Sequence, residues 1–169
     1  MNDWFSMTAA DFGREAAREV SRAFAVAGFE RYEPVTDQHG IDLVVRRQNV
    51  GAAFRAIQVK GVRWRVLSSK GTRGANPYVF VTDNKMSGVD YVVVVLVTEA
   101  GILRPDPPTP EVFLVPDSAW KGPGVGPRQL LTHRTYAGLR SAPEYGINIA
   151  KRHMPALRRF SWSHMIGSI

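Results

Sequence analysis

The sequence predicts an α/β (α+β) domain built on a mixed β-sheet flanked by helices. Three observations predict it. The chain opens on an amphipathic helical stretch, short β-branched runs bounded by glycine follow, and the run Tyr91-Val92-Val93-Val94-Val95-Leu96-Val97 is apolar at every position. A strand that is apolar on both sides is covered on both sides, so that run belongs at the centre of a sheet between two layers. The 169 residues fit one domain with a sizeable core.

The periodicity predicts a helix over 8–28. Thr8 can cap it, with Asp11 three residues on as a weaker form of the capping box. Phe12, Ala16, Val20, Ala23, Phe24 and Ala27 recur at helical spacing, and Gly28 ends the run. Glu15 and Glu19 lie one turn apart near the edge of that apolar stripe. Pairing with Arg14, Arg18 and Arg22 on the helix surface is sufficient reason for them.

A first strand is expected over 29–35, then a turn over 36–40. Residues 43–47 and 54–62 make a hairpin around Gln48-Asn49-Val50-Gly51. Next comes a basic loop, 63–74, containing Arg63, Trp64, Arg65, Lys70 and Arg73. Such a loop can contact phosphates and stack on a base. It can equally be a crossover whose Trp64 caps the core. Further strands are expected at 77–82, 90–98 and 111–115, with four prolines excluding regular structure from 104–110. A short helix is expected from Asp117, a flexible connection over 122–127, and short helical pieces around 128–140 and 154–160.

Charge divides the chain. Residues 1–120 hold fourteen Lys/Arg against fourteen Asp/Glu, whereas 121–169 hold eight basic residues and one acid, Glu144. The net +7 therefore lies entirely in the C-terminal third, a footprint suited to a polyanion or to a solvated basic tail. There Lys151, Arg152, Arg158 and Arg159 alternate with His153, Phe160 and Trp162. Basic groups interleaved with aromatics suit nucleic acid, and they also suit docking of a second subunit. The division expected is a core over 1–120 and a basic extension over 121–169 packed on the same domain.

Several chemistries are excluded or weakly supported. There is no cysteine, hence no disulfide, zinc thiolate or cysteine nucleophile. His39, His133, His153 and His164 show no metal-ligand spacing, and no Gly-x-Ser-x-Gly elbow is present. Gly122 to Gly126 lacks the lysine of a phosphate loop. No basic region followed by an apolar core opens the chain, and the longest apolar run is too short to span a bilayer. A soluble cytoplasmic protein is the expectation.

The polar residues that stand out are Asp42, in Gly40-Ile41-Asp42-Leu43-Val44-Val45, and Gln58 and Lys60, in Ala56-Ile57-Gln58-Val59-Lys60-Gly61. Gln58 and Lys60 share one face of their strand. A lysine within an apolar strand carries a desolvation cost that calls for a partner. If the two strands are hairpin neighbours, Asp42 approaches the same face. A buried ion pair with a hydrogen-bonded Gln58 would account for these residues without any chemistry.

An acidic helix, Gly-Ile-Asp at a strand entrance, a hairpin and then Ile-Gln-Val-Lys together resemble the PD-(D/E)XK nuclease superfamily. The Gln-x-Lys form is similar to its Mrr-like and Holliday-junction-resolvase-like branches. By motif the resemblance covers 8–62, and by strand order it extends loosely to 120. It implies a restriction-endonuclease-like fold and hydrolysis of DNA phosphodiester bonds with Mg2+ or Mn2+. It also implies roles: Asp42 as metal ligand, Gln58 and the Val59 carbonyl as further ligands, Lys60 at the attacking water or scissile phosphate. Glu15, with Glu19 second, would be the helix acid. DNA is the implied partner, a homodimer is compatible, and no membrane is involved. Gln58 departs from the usual Glu or Asp and removes one negative charge. That departure leaves open a nuclease-fold module that binds nucleic acid or a protein without cleaving.

Overall fold

The computed structural model describes residues 3–35, 40–48, 51–65, 78–82, 88–100, 102–103, 109–121, 131–134, 144–149, 151 and 154–169. Helix α1 runs Ala9–Val26 and is capped as its sequence predicts: the Thr8 hydroxyl accepts the Asp11 amide at 3.1 Å. Phe12, Ala16, Val20 and Phe24 form its buried stripe. The helix stops because Gly28 turns the chain at φ +81, a left-handed conformation that costs glycine little.

Five strands form the main sheet: β1 (Phe29–Tyr32), β2 (Leu43–Arg47), β3 (Arg55–Trp64), β5 (Tyr91–Thr98) and β6 (Glu111–Pro116), in the order β1-β2-β3-β5-β6. Only β3 and β5 run parallel, so the sheet is mixed. A second sheet has the order β4-β8-β7, from β4 (Tyr78–Thr82), β7 (Leu131–Arg134) and β8 (Glu144–Asn148). Helix α2 is Asp117–Lys121. The C-terminal residues fold as α3 (Met154–Leu157), a 3-10 turn over Arg158–Phe160, α4 (Trp162–Met165) and a last 3-10 turn over Ile166–Ser168.

The core lies in two layers on either side of the main sheet. On the α1 side, Ala16, Val20 and Phe24 pack on Leu43, Val45, Ile57, Val93 and Leu114. On the opposite side, Val62, Trp64, Val92, Val94 and Phe113 pack with Val79, Ile149 and Leu157. β5 is buried along Val92–Val97, as its sequence predicts for a central strand. Residues 154–169 wrap the β6 edge and serve both layers, Leu157 on one and Trp162 against Phe24 on the other, ring centroids 4.8 Å apart.

Four expectations shift. β1 stops at Tyr32, short of Val35, because β2 offers it partners only from Val44 to Arg47. β3 continues through Trp64, so Arg63 and Trp64 belong to a strand rather than a loop. Its parallel ladder with β5 runs unbroken from Ile57↔Tyr91 to Trp64↔Thr98. β4 joins the second sheet. Leu131–Arg134, expected within helical pieces, is a strand whose ladder with β8 pairs Leu131↔Ile147 through Arg134↔Glu144.

Candidate active site

Asp42 stands where the β2–β3 ladder ends. The last described pairs are Leu43↔Ile57, Val44↔Ala56 and Val45↔Arg55, although β3 continues for seven residues beyond Ile57. In that gap the Asp42 amide donates to the Ile57 carbonyl at 2.9 Å, and Asp42 Oδ2 accepts the Val59 amide at 2.6 Å. Strand amides lie in the plane of the sheet. The carboxylate that replaces a ladder carbonyl therefore sits in that plane as well, at an opening between the two strands. Gly40, at φ +67, turns the chain into this position.

Alternation then sorts the neighbours. Ile57 and Val59 pack on the α1 layer, and a Cβ on Gly61 would lie 2.6 Å from Phe12 Cε1. Gln58, Lys60, Val62 and Trp64 therefore face the other layer, where Val62 and Trp64 are core residues. Asp42 and Leu43 both stand against Ile57, so the register breaks at Asp42, and the next residue along β3 is Gln58. It is 1% exposed, and its Oε1 finds no hydrogen-bond donor among the described residues. Lys60 is half-buried beside it on the same face.

A cleft of about 400 Å³ opens on the α1 side of Asp42. Asp42, Leu43 and Val59 form its floor, Arg31 and Glu33 one wall, and Arg14, Ala17, Arg18, Ser21 and Arg22 of α1 the other. Glu15 does not line it. At 3.6 residues per turn Glu15 lies about 160° round the helix from Ala17. Its carboxylate holds Arg18 at 3.4 Å and Arg22 at 3.9 Å, and Glu19 holds Arg22 at 2.7 Å. The structure thus joins Asp42 to Val59 by a hydrogen bond, while Gln58 and Lys60, the neighbours of Val59 along β3, turn to the other layer. The two glutamates sit among the arginines of the helix.

The expected nucleic-acid contacts are placed as follows. Trp64 is 5% exposed and packed in the core, so its ring has no open face for a base. The Arg63 guanidinium lies 4.8 Å from the Phe12 ring centroid and donates to the Met7 carbonyl at 2.7 Å. Burial, and after it the charge of Arg65, pushes the Arg63 pKa down. Arg65 stacks on Phe5 and donates to its carbonyl. Both arginines tie the segment before α1 to β3. Lys151 and Arg159 are exposed, and Arg158 pairs with Glu111 at 3.6 Å. Lys70, Arg73 and Arg152 lie outside the described residues.

Sequence reasoning missed the arginines beside Asp42. Arg14, Arg18 and Arg22 recur every four residues, the spacing of one row along a helix, and that signal was present. Counting net charge hid them, because acids on the same helix cancel them.

Two features bear on a metal ion. Among the described residues no three His, Cys, Asp or Glu side chains gather in a way that could hold one. Among the described residues the candidate ligand atoms are oxygens: the Asp42 carboxylate, the buried Gln58 amide oxygen, and backbone carbonyls. Magnesium accepts such a set, because it retains waters and takes one or two carboxylates together with a substrate phosphate. No helix among the described residues is long and apolar enough to cross a membrane.

No model of a protein family matches the chain, and no curated protein matches it. Among solved structures, the chain is similar to the Holliday junction resolvase of the archaeal hyperthermophile Archaeoglobus fulgidus. The identity is 13%, the TM-score 0.48, and the match covers 92% of this chain and 95% of that one. It is similar also to a bacterial homing endonuclease, at 15% identity and TM-score 0.49, covering 96% of this chain and 95% of that one.

Proposed function

We propose that the protein is a metal-dependent deoxyribonuclease of restriction-endonuclease-like fold that hydrolyses DNA phosphodiester bonds at the Asp42–Gln58–Lys60 site. One observation carries the reading: among the described residues Gln58 Oε1 is buried without a hydrogen-bond donor, next along β3 to Val59, whose amide holds the Asp42 carboxylate. A buried acceptor left without a donor costs on the order of 1–3 kcal/mol. A cation bound there would offset that cost.

Mg2+ or Mn2+ would be held by the Asp42 carboxylate, Gln58 Oε1 and the Val59 carbonyl. Its chemistry when bound is to polarise a phosphoryl oxygen and lower the pKa of water. The chain's own residues supply the rest. The Val59 amide fixes Asp42, so the carboxylate is oriented before substrate arrives. Lys60, next on the same face as Gln58, places an ammonium where charge develops on the scissile phosphate. Glu15 enters this reading through Arg18 and Arg22, which it holds in place.

A second reading is favoured by Gln58 itself. With an amide in place of a carboxylate the site holds one charge fewer, which suits a module that binds nucleic acid or a protein and cuts poorly or not at all. Plasmid nicking with Mg2+ and Mn2+ separates the two. Nicking by the wild type that is lost in Asp42→Ala and Lys60→Ala supports the nuclease. No metal-dependent cleavage of duplex, branched or single-stranded DNA leaves the binding module.

A further inference from the structure

Among the described residues, the basic side chains that line the cleft with Asp42 come from α1 and β1, not from the C-terminal third. Arg158 is tied to Glu111 at the start of β6, and Glu111 pairs with Leu96. Asp42 lies beside β3 near Gln58, which pairs with Val92. Three strand spacings and four residues of strand rise separate the two places, about 20 Å in all. That is roughly two Debye lengths at physiological salt. The Arg158 charge therefore contributes little at Asp42.

The α1 cleft differs on each count. Arg14, Arg18 and Arg22 border it together with Arg31, against the carboxylates Glu33 and Asp42. The three helix arginines are 66%, 69% and 64% exposed at the side chain, and their acids are one turn away on the same helix. Exposed pairs of that kind are worth well under 1 kcal/mol each, about 0.3–0.5, so a phosphate can replace the carboxylate as partner at little cost. Four residues of helix rise about 6 Å, so the row spans about 12 Å. At about 3.4 Å of axis per phosphate on one strand, that length covers about three and a half intervals, or four to five consecutive phosphates.

We propose that Arg14, Arg18 and Arg22, with Arg31, form the track that holds the phosphate backbone of DNA and leads one strand over Asp42. The proposal rests on the site assignment above for what happens at the end of the track. Backbone binding itself requires no cleavage. Glu15 and Glu19 act as positioning residues that keep the guanidinium groups extended in a row before DNA arrives.

The test is the salt dependence of binding to a fluorescein-labelled 20-base-pair duplex, read by anisotropy in EDTA. Each of Arg14→Gln, Arg18→Gln and Arg22→Gln is expected to make the slope of log K against log salt shallower by about 1, and the triple variant by about 3. The control is Lys151→Gln/Arg158→Gln/Arg159→Gln, which removes the same charge from residues that do not line the cleft and is expected to leave the slope within about 1 of wild type. Circular dichroism melting confirms that both triples fold. An unchanged slope in the folded α1 triple overturns the proposal, as does an equal loss in the control. Failure of the nuclease reading is separately visible. An Asp42→Ala protein that still nicks with Mg2+ removes the catalytic assignment, whereas loss of slope in the α1 triple still supports the track.

Discussion

Asp42 Oδ2 accepts the Val59 amide at 2.6 Å, at the point where the ladder between β2 and β3 has ended. One side chain thus closes a backbone hydrogen bond and presents a carboxylate between the strands. The two roles can be separated. Asp42→Asn keeps an oxygen acceptor for Val59, and Asp42→Ala does not. The alanine variant is expected to lose about 1 kcal/mol in urea unfolding, the asparagine variant less, and both to lose metal-dependent nicking. Asparagine retaining full nicking would remove the carboxylate's charge from the mechanism.

Gln58 tests the metal site by stability alone. Gln58→Glu places a carboxylate in a position that is 1% exposed, so without metal the variant is expected to be less stable than wild type. Added Mg2+ or Mn2+ should then raise its melting temperature more than it raises that of wild type, because an ion binding only the folded state stabilises by RT ln(1 + [L]/Kd). An equal response to metal in the two proteins would exclude position 58 from the ligand set.

Gly61 is required by packing. An added Cβ would lie 2.6 Å from Phe12 Cε1 and 3.2 Å from the Ala16 Cβ, and Phe12 is held by Trp4 at a 5.7 Å edge-to-face contact and by Arg63 above its ring. With no room to yield, Gly61→Ala is expected to cost about 1–3 kcal/mol, read as a lower urea midpoint at unchanged slope. A neutral result would mean that α1 can lift off β3.

The C-terminal residues are held by Trp162 on Phe24 and by Arg47, which donates to the Ile166 carbonyl at 3.1 Å. Trp162→Ala is expected to cost about 2 kcal/mol, less than a fully buried tryptophan, and to expose 154–169 to limited proteolysis before the core opens. Cleavage there at the wild-type rate would show that Trp162 does not hold the segment.

Acid should weaken the fold through two depressed carboxyls. Hydrogen bonds from Arg46, and after them Tyr32, hold Glu30 below its ordinary pKa, and the Thr8 hydroxyl does the same for Asp11. A carboxyl with a lowered folded-state pKa binds fewer protons folded than unfolded. Its contribution is present above the ordinary carboxylate range and is lost as pH falls through the depressed value. The difference in urea midpoint between wild type and Glu30→Gln is therefore expected to hold from pH 7 to about pH 5 and to shrink below about pH 4. A difference that grows on acidification would contradict the assignment.

What the sequence alone determined is what local pattern can encode. The cap at Thr8, the stripe Phe12–Ala16–Val20–Phe24, the doubly covered β5 and the polar residues Asp42, Gln58 and Lys60 all follow from spacing within a few residues. Tertiary structure decided which groups share a face or an edge. It continued β3 through Trp64, because β5 supplied a ladder that loop-like composition gave no hint of. It set Glu15 among the helix arginines and brought Arg14, Arg18 and Arg22 beside Asp42. It also left Gln58 Oε1 buried without a donor among the described residues. The physical reason is one of range. Propensity and periodicity act over a turn of helix or a few residues of strand. Register and facing are set by burying one apolar layer against another, across segments far apart in the chain.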